Sequence, residues 1–134
     1  MTQNLTESAM EGRANAYAPY SRFKVGAAVK GGSGKIYTGC NVENASFSLT
    51  VCAERNAVFQ AIAAGEEFLR TMAVVGGTDD NEALTKPCIP CGACLQVLAE
   101  FCPPDFPILL ADGVHMLCEF LPKRFGSFDA EDED

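Results

Sequence analysis

Positions Leu5, Ala9, Arg13 and Ala16 follow Thr2 at helical intervals, and Pro19 stops the run, which predicts one N-terminal helix. From Phe23 to Val29 the chain is mostly apolar and suited to a strand; Gly31-Gly32-Ser33-Gly34 breaks it, and Ile36 to Val42 resumes, as in a hairpin. A second helix is expected from about Cys52 to Ala64, with Thr50 as N-cap, Ala57, Val58, Ala61 and Ile62 as its buried stripe, and Gly65 past its end. Leu69 to Val75 reads as a strand and Gly76 to Lys86 as polar loop. Pro90 stands where a helix's first residue would be, with Cys91, Cys94, Leu95, Leu98 and Phe101 along one face and Pro103-Pro104 as the stop. Two short strands, Pro107 to Ala111 and His115 to Phe120, finish the fold before Leu121-Pro122, and no internal repeat is present. This order of elements predicts an α/β fold, a mixed sheet of about five strands covered by helices on its faces. Ligand sites in such sheets gather where helix starts meet strand ends.

Composition narrows the function. A chain of 134 residues, 48% hydrophobic, closes one core, so residues 1–128 are expected to form a single domain. The net charge is -8, and Asp129, Glu131, Asp132, Glu133 and Asp134 concentrate it in a tail, 129–134, expected to be solvated and disordered. Lys and Arg are scattered singly, without the basic stripe that a polynucleotide binder needs, so the partner is expected to be a small molecule. No stretch approaches the roughly 18 apolar residues of a membrane helix. Glu7 and Glu11 stand where a signal peptide needs positive charge, so a cytoplasmic protein is expected. In that compartment seven cysteines are thiols or metal ligands, not a disulfide framework.

Two cysteine motifs open two of the expected helices: Thr50-Val51-Cys52-Ala53-Glu54-Arg55 and Pro90-Cys91-Gly92-Ala93-Cys94. Residues three apart on a helix have Cβ atoms roughly 5–6 Å from each other, and two sulfurs on one tetrahedral zinc lie about 3.7 Å apart. Cys91 and Cys94 therefore make half a zinc site, and Cys52 supplies a third ligand. Three protein ligands leave the fourth position open, the catalytic pattern, whereas a closed four-cysteine shell is structural. A helix N-terminus favours thiolate over thiol. Glu54, two residues from Cys52, points elsewhere on a regular helix but reaches a site placed end-on beyond the helix start, where it can act on a water without being a ligand. Three thiolates make bound water less acidic than a neutral ligand set would; Arg55, adjacent to the motif, is expected to donate to the sulfurs and offset this. A C-x-x-C alone also suits structural zinc, redox chemistry or buried thiols. An iron–sulfur site is a rival, since Cys88, Cys91 and Cys94 form C-x-x-C-x-x-C, but Cys102 follows eight residues after the third cysteine, not four. The glycines at 31–34 lack the Lys-Ser/Thr and helix of a phosphate loop, and His115 lies far from both motifs in sequence. A cysteine, a glutamate two residues on and a later P-C-x-x-C together match the pattern of nucleobase deaminases.

From Tyr20 to Phe125 the chain resembles the small, three-cysteine cytidine deaminases. Four blocks carry the likeness: residues 19–28 (PYSRFKVGAA), 39–47 (GCNVENASF), 52–55 (CAER) and 90–94 (PCGAC). The resemblance implies a three-layer α/β/α fold and zinc-dependent deamination of cytidine and deoxycytidine, in pyrimidine salvage, with one Zn²⁺ per subunit. Another aminopyrimidine nucleoside or a nucleoside antibiotic is the alternative substrate. It implies Cys52, Cys91 and Cys94 as ligands and Glu54 as the proton carrier. It places Asn41 and Glu43 on the ribose hydroxyls and Phe23 and Ala53 among the substrate contacts. It further implies a homotetramer with shared sites, Ala45 and Phe47 entering from one neighbour and Phe125 stacking on the base from another. Three departures stand out: Phe47 where Tyr is common, Leu95 where Arg usually follows the second zinc cysteine, and Lys123-Arg124 where small residues precede Phe125.

Overall fold

The computed structural model describes residues 4–126. Its centre is a sheet of order β2-β1-β3-β4-β5, built from β1 (Lys24–Gly31), β2 (Ile36–Cys40), β3 (Leu69–Gly77), β4 (Pro107–Leu110) and β5 (Gly113–Met116). β1 is antiparallel to β2 and to β3, β4 is parallel to β3, and β5 is antiparallel to β4. The expected mixed five-stranded sheet is present. Gly34, at φ +95°, takes the left-handed conformation that the β1–β2 turn requires.

Side chains alternate across the sheet with the period of two that strands impose. Ala27, Val29, Met72, Val74 and Ile108 face one core; Ala28, Ala73 and Val75 face the other. Against the first pack α2 (Ala53–Ala63), through Ala57, Val58 and Ala61, and α4 (Gly92–Phe101), through Leu95 and Leu98. Against the second pack α1 (Leu5–Arg13), through Ala9, and α3 (Asp80–Thr85), through Ala83. Helices on both faces make the three layers expected, and α4 lies in the crossover that the parallel β3–β4 pair demands. Each fully buried Val, Leu, Ile or Met contributes about 1.5–3 kcal/mol of hydrophobic stabilisation.

Close packing sets where α2 begins. A Cβ on Gly39 would lie 2.5 Å from Ala53 O and from Ala57 N, so only glycine in β2 lets the first turn of α2 approach this closely. Asn56 and Gln60 then donate from α2 to the β2 carbonyls of Cys40 and Thr38, at 2.7 and 2.8 Å. These bonds register the helix along the strand and satisfy the unpaired edge of β2.

Several elements differ from expectation. α1 is capped by Asn4, whose Oδ1 accepts from Thr6 N–H at 2.8 Å, and it ends at Arg13; Thr2 lies outside the described residues. Arg13 is drawn inward, where its guanidinium donates to Lys24 O, Gly77 O and Asp80, and the chain then turns into a bridge between Tyr17 and Val42. Thr50 does not cap α2. Its hydroxyl accepts from Asn44 N–H, and Cys52 is the N-cap. The expected polar loop contains α3, capped by Asp79, whose carboxylate accepts from Glu82 N–H at 2.8 Å while Glu82 returns to Thr78. The first residue of α4 is Gly92, not Pro90, and Phe101 is partly exposed while Cys102 turns inward. The expected strand from His115 to Phe120 stops at Met116 and becomes α5 (Leu117–Phe120), because the Glu119 carboxylate accepts from Met116 N–H and starts a helical turn. The acidic tail at 129–134 lies outside the described residues, and no described helix is long and apolar enough to cross a membrane.

Candidate metal centre and active site

The starts of α2 and α4 meet on one face of the sheet. Cys52 and Cys91 are the N-caps of these two helices, and neither makes a side-chain capping bond, so both thiols are free to face one another. Cys94 comes from the first turn of α4 and is buried. The Sγ atoms of Cys52 and Cys91 are 3.8 Å apart and those of Cys91 and Cys94 3.5 Å. All three lie within 4.8 Å of one another. A tetrahedral zinc with Zn–S bonds near 2.3 Å needs sulfurs about 3.7 Å apart, so this trio fits that ion with little adjustment. Among the described residues no further His, Cys, Asp or Glu joins the cluster, which leaves a fourth position open. Cys88 stays outside it and Cys102 is packed in the apolar core, so the four cysteines do not gather as an iron–sulfur centre would require.

Charge in the trio is uneven. The Cys94 thiol donating to it, and then the Arg55 guanidinium, hold Cys52 well below an ordinary thiol, at about 5. Cys94 is displaced upward by the same partnership and by burial, so the two sulfurs titrate as a pair. Arg55 Nη2 lies 3.5 Å from Cys52 Sγ and 3.5 Å from Thr50 O, which puts the guanidinium beside the sulfur, as expected. Glu54, in the first turn of α2, is 4% exposed. Burial, opposed by its own backbone N–H and reinforced by the Cys52 charge, raises its carboxyl to about 7. A carboxyl poised there holds and releases a proton at neutral pH.

Asn41 and Glu43 lie just past β2 and both grip the segment that carries Phe23. Asn41 Oδ1 accepts from Val25 N–H at 2.8 Å, and its Nδ2 donates to Phe23 O at 2.9 Å. Glu43 Oε1 accepts from Tyr20 and Ser21 N–H at 3.0 and 3.2 Å, and the Ser21 hydroxyl, which chiefly lowers its pKa, donates to Oε2. A cleft of about 340 Å³ brings Glu43 and Phe47 together with Tyr20, Ser21 and Thr50. Phe47 stands edge-on to Tyr20, ring centres 6.3 Å apart, and is 75% exposed. Ala45 is exposed in the same loop, while Ala53 is buried in the core at the start of α2. Phe125 does not line this cleft; it is 76% exposed on the C-terminal segment. Leu95 is buried among apolar side chains, so its substitution for a cation leaves no vacancy in the packing.

Residues 1–110 match the family model described as the cytidine and deoxycytidylate deaminase zinc-binding region. The chain belongs to this deaminase family. A cytidine deaminase of Halalkalibacterium halodurans is 43% identical over 135 residues, covering 97% of this chain and 96% of that protein. Another, of Sporosarcina psychrophila, is 44% identical over 110 residues, covering 82% of this chain and 76% of that protein. Among solved structures, the cytidine deaminase of Mycobacterium tuberculosis superposes with a TM-score of 0.82 at 39% identity, covering 92% of this chain and 95% of that one. That of Burkholderia pseudomallei gives 0.80 at 45% identity, covering 90% and 96%.

One cysteine near the deaminase site stands as the sequence indicated, and one contact on α4 was not foreseen. Cys88 is half-buried with its Sγ close to Gly76, and burial first, then the charges of Glu54 and Cys52, push its thiol up to about 12. Such a thiol is a poor nucleophile; the C-x-x-C-x-x-C spacing offered it as a ligand, the distance to Cys102 spoke for a loop thiol instead, and Cys88 indeed stays outside the sulfur trio. Gln96 bonds the backbone of Phe125, a long-range contact for which a lone glutamine on a helix carries no local signal.

Proposed function

We propose that this deaminase hydrolyses cytidine and deoxycytidine to uridine and deoxyuridine with release of ammonia, using one Zn²⁺ held by Cys52, Cys91 and Cys94. The observation that carries the reading is the convergence of three sulfurs at two helix starts with a buried carboxyl, Glu54, in the same turn. Bound zinc supplies Lewis acidity, bringing the ionisation of a coordinated water toward neutral pH. Glu54 takes a proton from the attacking water and hands one to pyrimidine N3, so that C4 accepts the oxygen and becomes tetrahedral. Its carboxylate then takes the proton of the new C4 hydroxyl and passes it to the exocyclic amine, so that the C4–N bond breaks, ammonia departs and the C4 carbonyl forms. Burial raises the proton affinity of Glu54 above that of an ordinary carboxylate, which suits a group that must both take and give protons. Arg55 holds the Cys52 sulfur and moderates the charge of three thiolates.

On the sugar side, Asn41 and Glu43 receive the ribose hydroxyls, each keeping one flank of the Tyr20–Val25 segment in place, and Phe23 lines the base pocket, whereas the full burial of Ala53 gives it no surface to offer a substrate. Pockets are completed in a homotetramer, with Ala45 and Phe47 from one neighbour and Phe125 from another. Support comes from the exposure of large apolar side chains, Val42, Phe47, Phe59 and Phe125, which a second copy would cover. Seven unpaired cysteines suit a reducing cytoplasm and a role in pyrimidine salvage. Incubating pure protein with cytidine and following loss of its ultraviolet band, with metal analysis of the same sample, tests the assignment. Turnover with about one zinc per chain supports it, and no turnover in zinc-replete protein refutes it.

A further inference from the structure

Arg124 stands where the resemblance expects a small residue, immediately before Phe125, and the structure gives it a defined task. Its Nη1 donates to Ala99 O at 2.7 Å and to Cys102 O at 3.1 Å, at the C-terminal end of α4. Those carbonyls need an outside donor. The residue four beyond Ala99 is Pro103, which has no N–H, and the carbonyls at a helix C-terminus also carry the negative end of its dipole. Next along the chain, Gln96 grips Phe125 on both backbone groups: its Nε2 donates to Phe125 O at 2.9 Å, and its Oε1 accepts from Phe125 N–H at 3.3 Å. Gly126, at φ +101°, then lets the chain turn away.

We propose that Gln96 and Arg124 form a clasp that fixes the Phe125 segment onto α4, making both of them positioning residues for the Phe125 ring. α4 is also the helix that presents Cys91 and Cys94, and Gln96 lies two residues beyond Cys94. One rigid element thus carries both the clasp and two metal ligands, and the ring is held at a fixed place on its own subunit for delivery to the nucleoside base in a neighbour's site. The inference rests on the proposed stacking role of Phe125.

Steady-state kinetics of zinc-loaded Arg124→Ala, Arg124→Lys, Gln96→Ala, Phe125→Ala and the Arg124→Ala/Phe125→Ala double variant test it, with thermal midpoint and zinc content measured alongside. Loss of a charge-assisted anchor is expected to raise KM for cytidine about tenfold in Arg124→Ala, with kcat changed less than about twofold. Gln96→Ala should follow in the same direction, Arg124→Lys should recover part of the loss, and zinc content should not change. In the Phe125→Ala background, Arg124→Ala should add nothing. The clasp is overturned if Phe125→Ala raises KM while Arg124→Ala and Gln96→Ala do not, or if Arg124→Ala multiplies KM by the same factor whether or not the ring is there. An unchanged KM in Phe125→Ala would overturn both the clasp and the stacking role, which separates that failure from the first.

Discussion

Replacing Glu54 by Gln keeps the volume and burial of the side chain and removes its proton, so it separates chemistry from packing. General acid–base catalysis by one group contributes about 10²–10⁴ in rate, and Glu54 is assigned the transfers to both N3 and the amine, so kcat should fall toward the upper end of that range. The same change should strengthen the fold. In the metal-free protein, burial raises the carboxyl from 4.5 to about 7, so the folded state binds the proton more tightly than the unfolded chain. Such a group favours folding below pH 4.5, and the native state loses stability as pH rises from there through 7. With 1.36 kcal/mol for each unit, the charged carboxylate costs the fold about 3 kcal/mol above pH 7, in order of magnitude. Urea unfolding of chelator-treated wild type and Glu54→Gln at pH 4 and pH 8 reads this directly. The gap should be small at pH 4 and reach about 3 kcal/mol in favour of the variant at pH 8. A variant with more than about 1% of wild-type turnover, below the lower bound for a general acid–base group, would refute the catalytic role. A stability gap independent of pH would refute the burial argument.

Arg55→Ala should leave the protein folded but weaken zinc binding about 10–100-fold, as loss of an outer partner does, and move the acidic limb of the pH–rate profile; competition with a chelator and a pH series measure both. Gly39→Ala puts a methyl 2.5 Å from Ala53 O and Ala57 N, so it should push back the start of α2, cost about 1–3 kcal/mol in denaturant unfolding, and lower zinc occupancy with it. His115 is held between Glu119 and Asp112, which raise its pKa, so its contribution to stability is full below the unfolded value near 6.5 and fades as pH rises through the higher folded value. The stability difference between wild type and His115→Gln should shrink over that same window, and a difference that grows with pH would contradict it.

Local spacing carried the metal site. Cys52, Cys91 and Cys94 were legible because cap and first-turn positions of two helices converge when both helices start at the same end of the sheet, and the apolar stripes of Val58 and Leu98 put both on one face. The sheet was legible from alternation, since Ala27/Val29 against Ala28 and Met72/Val74 against Ala73/Val75 divide cleanly between the two cores. α3 carried a signal that was overlooked: Asp79 and Glu82, three apart, form the cap, but a six-residue helix burying little beyond Ala83 has too weak an apolar stripe to stand out. The turn from β5 into α5 was missed: Leu117 and Phe120, three apart, fit a helix, but four residues are too short for that period to stand out, and the Glu119 carboxylate on Met116 N–H is what starts the turn. The acidity of Glu54 and the grip of Asn41 on Phe23 and Val25 depend on which distant residues exclude water or offer backbone groups, and no local pattern encodes that.

X-ray absorption at the zinc edge of the purified protein, with metal content determined in parallel, tests the open coordination site most directly. Three sulfur scatterers at about 2.3 Å and one lighter atom nearer 2.0 Å are predicted, with about one zinc per chain. Four sulfurs around the ion, or protein free of zinc that still turns over substrate, would contradict it.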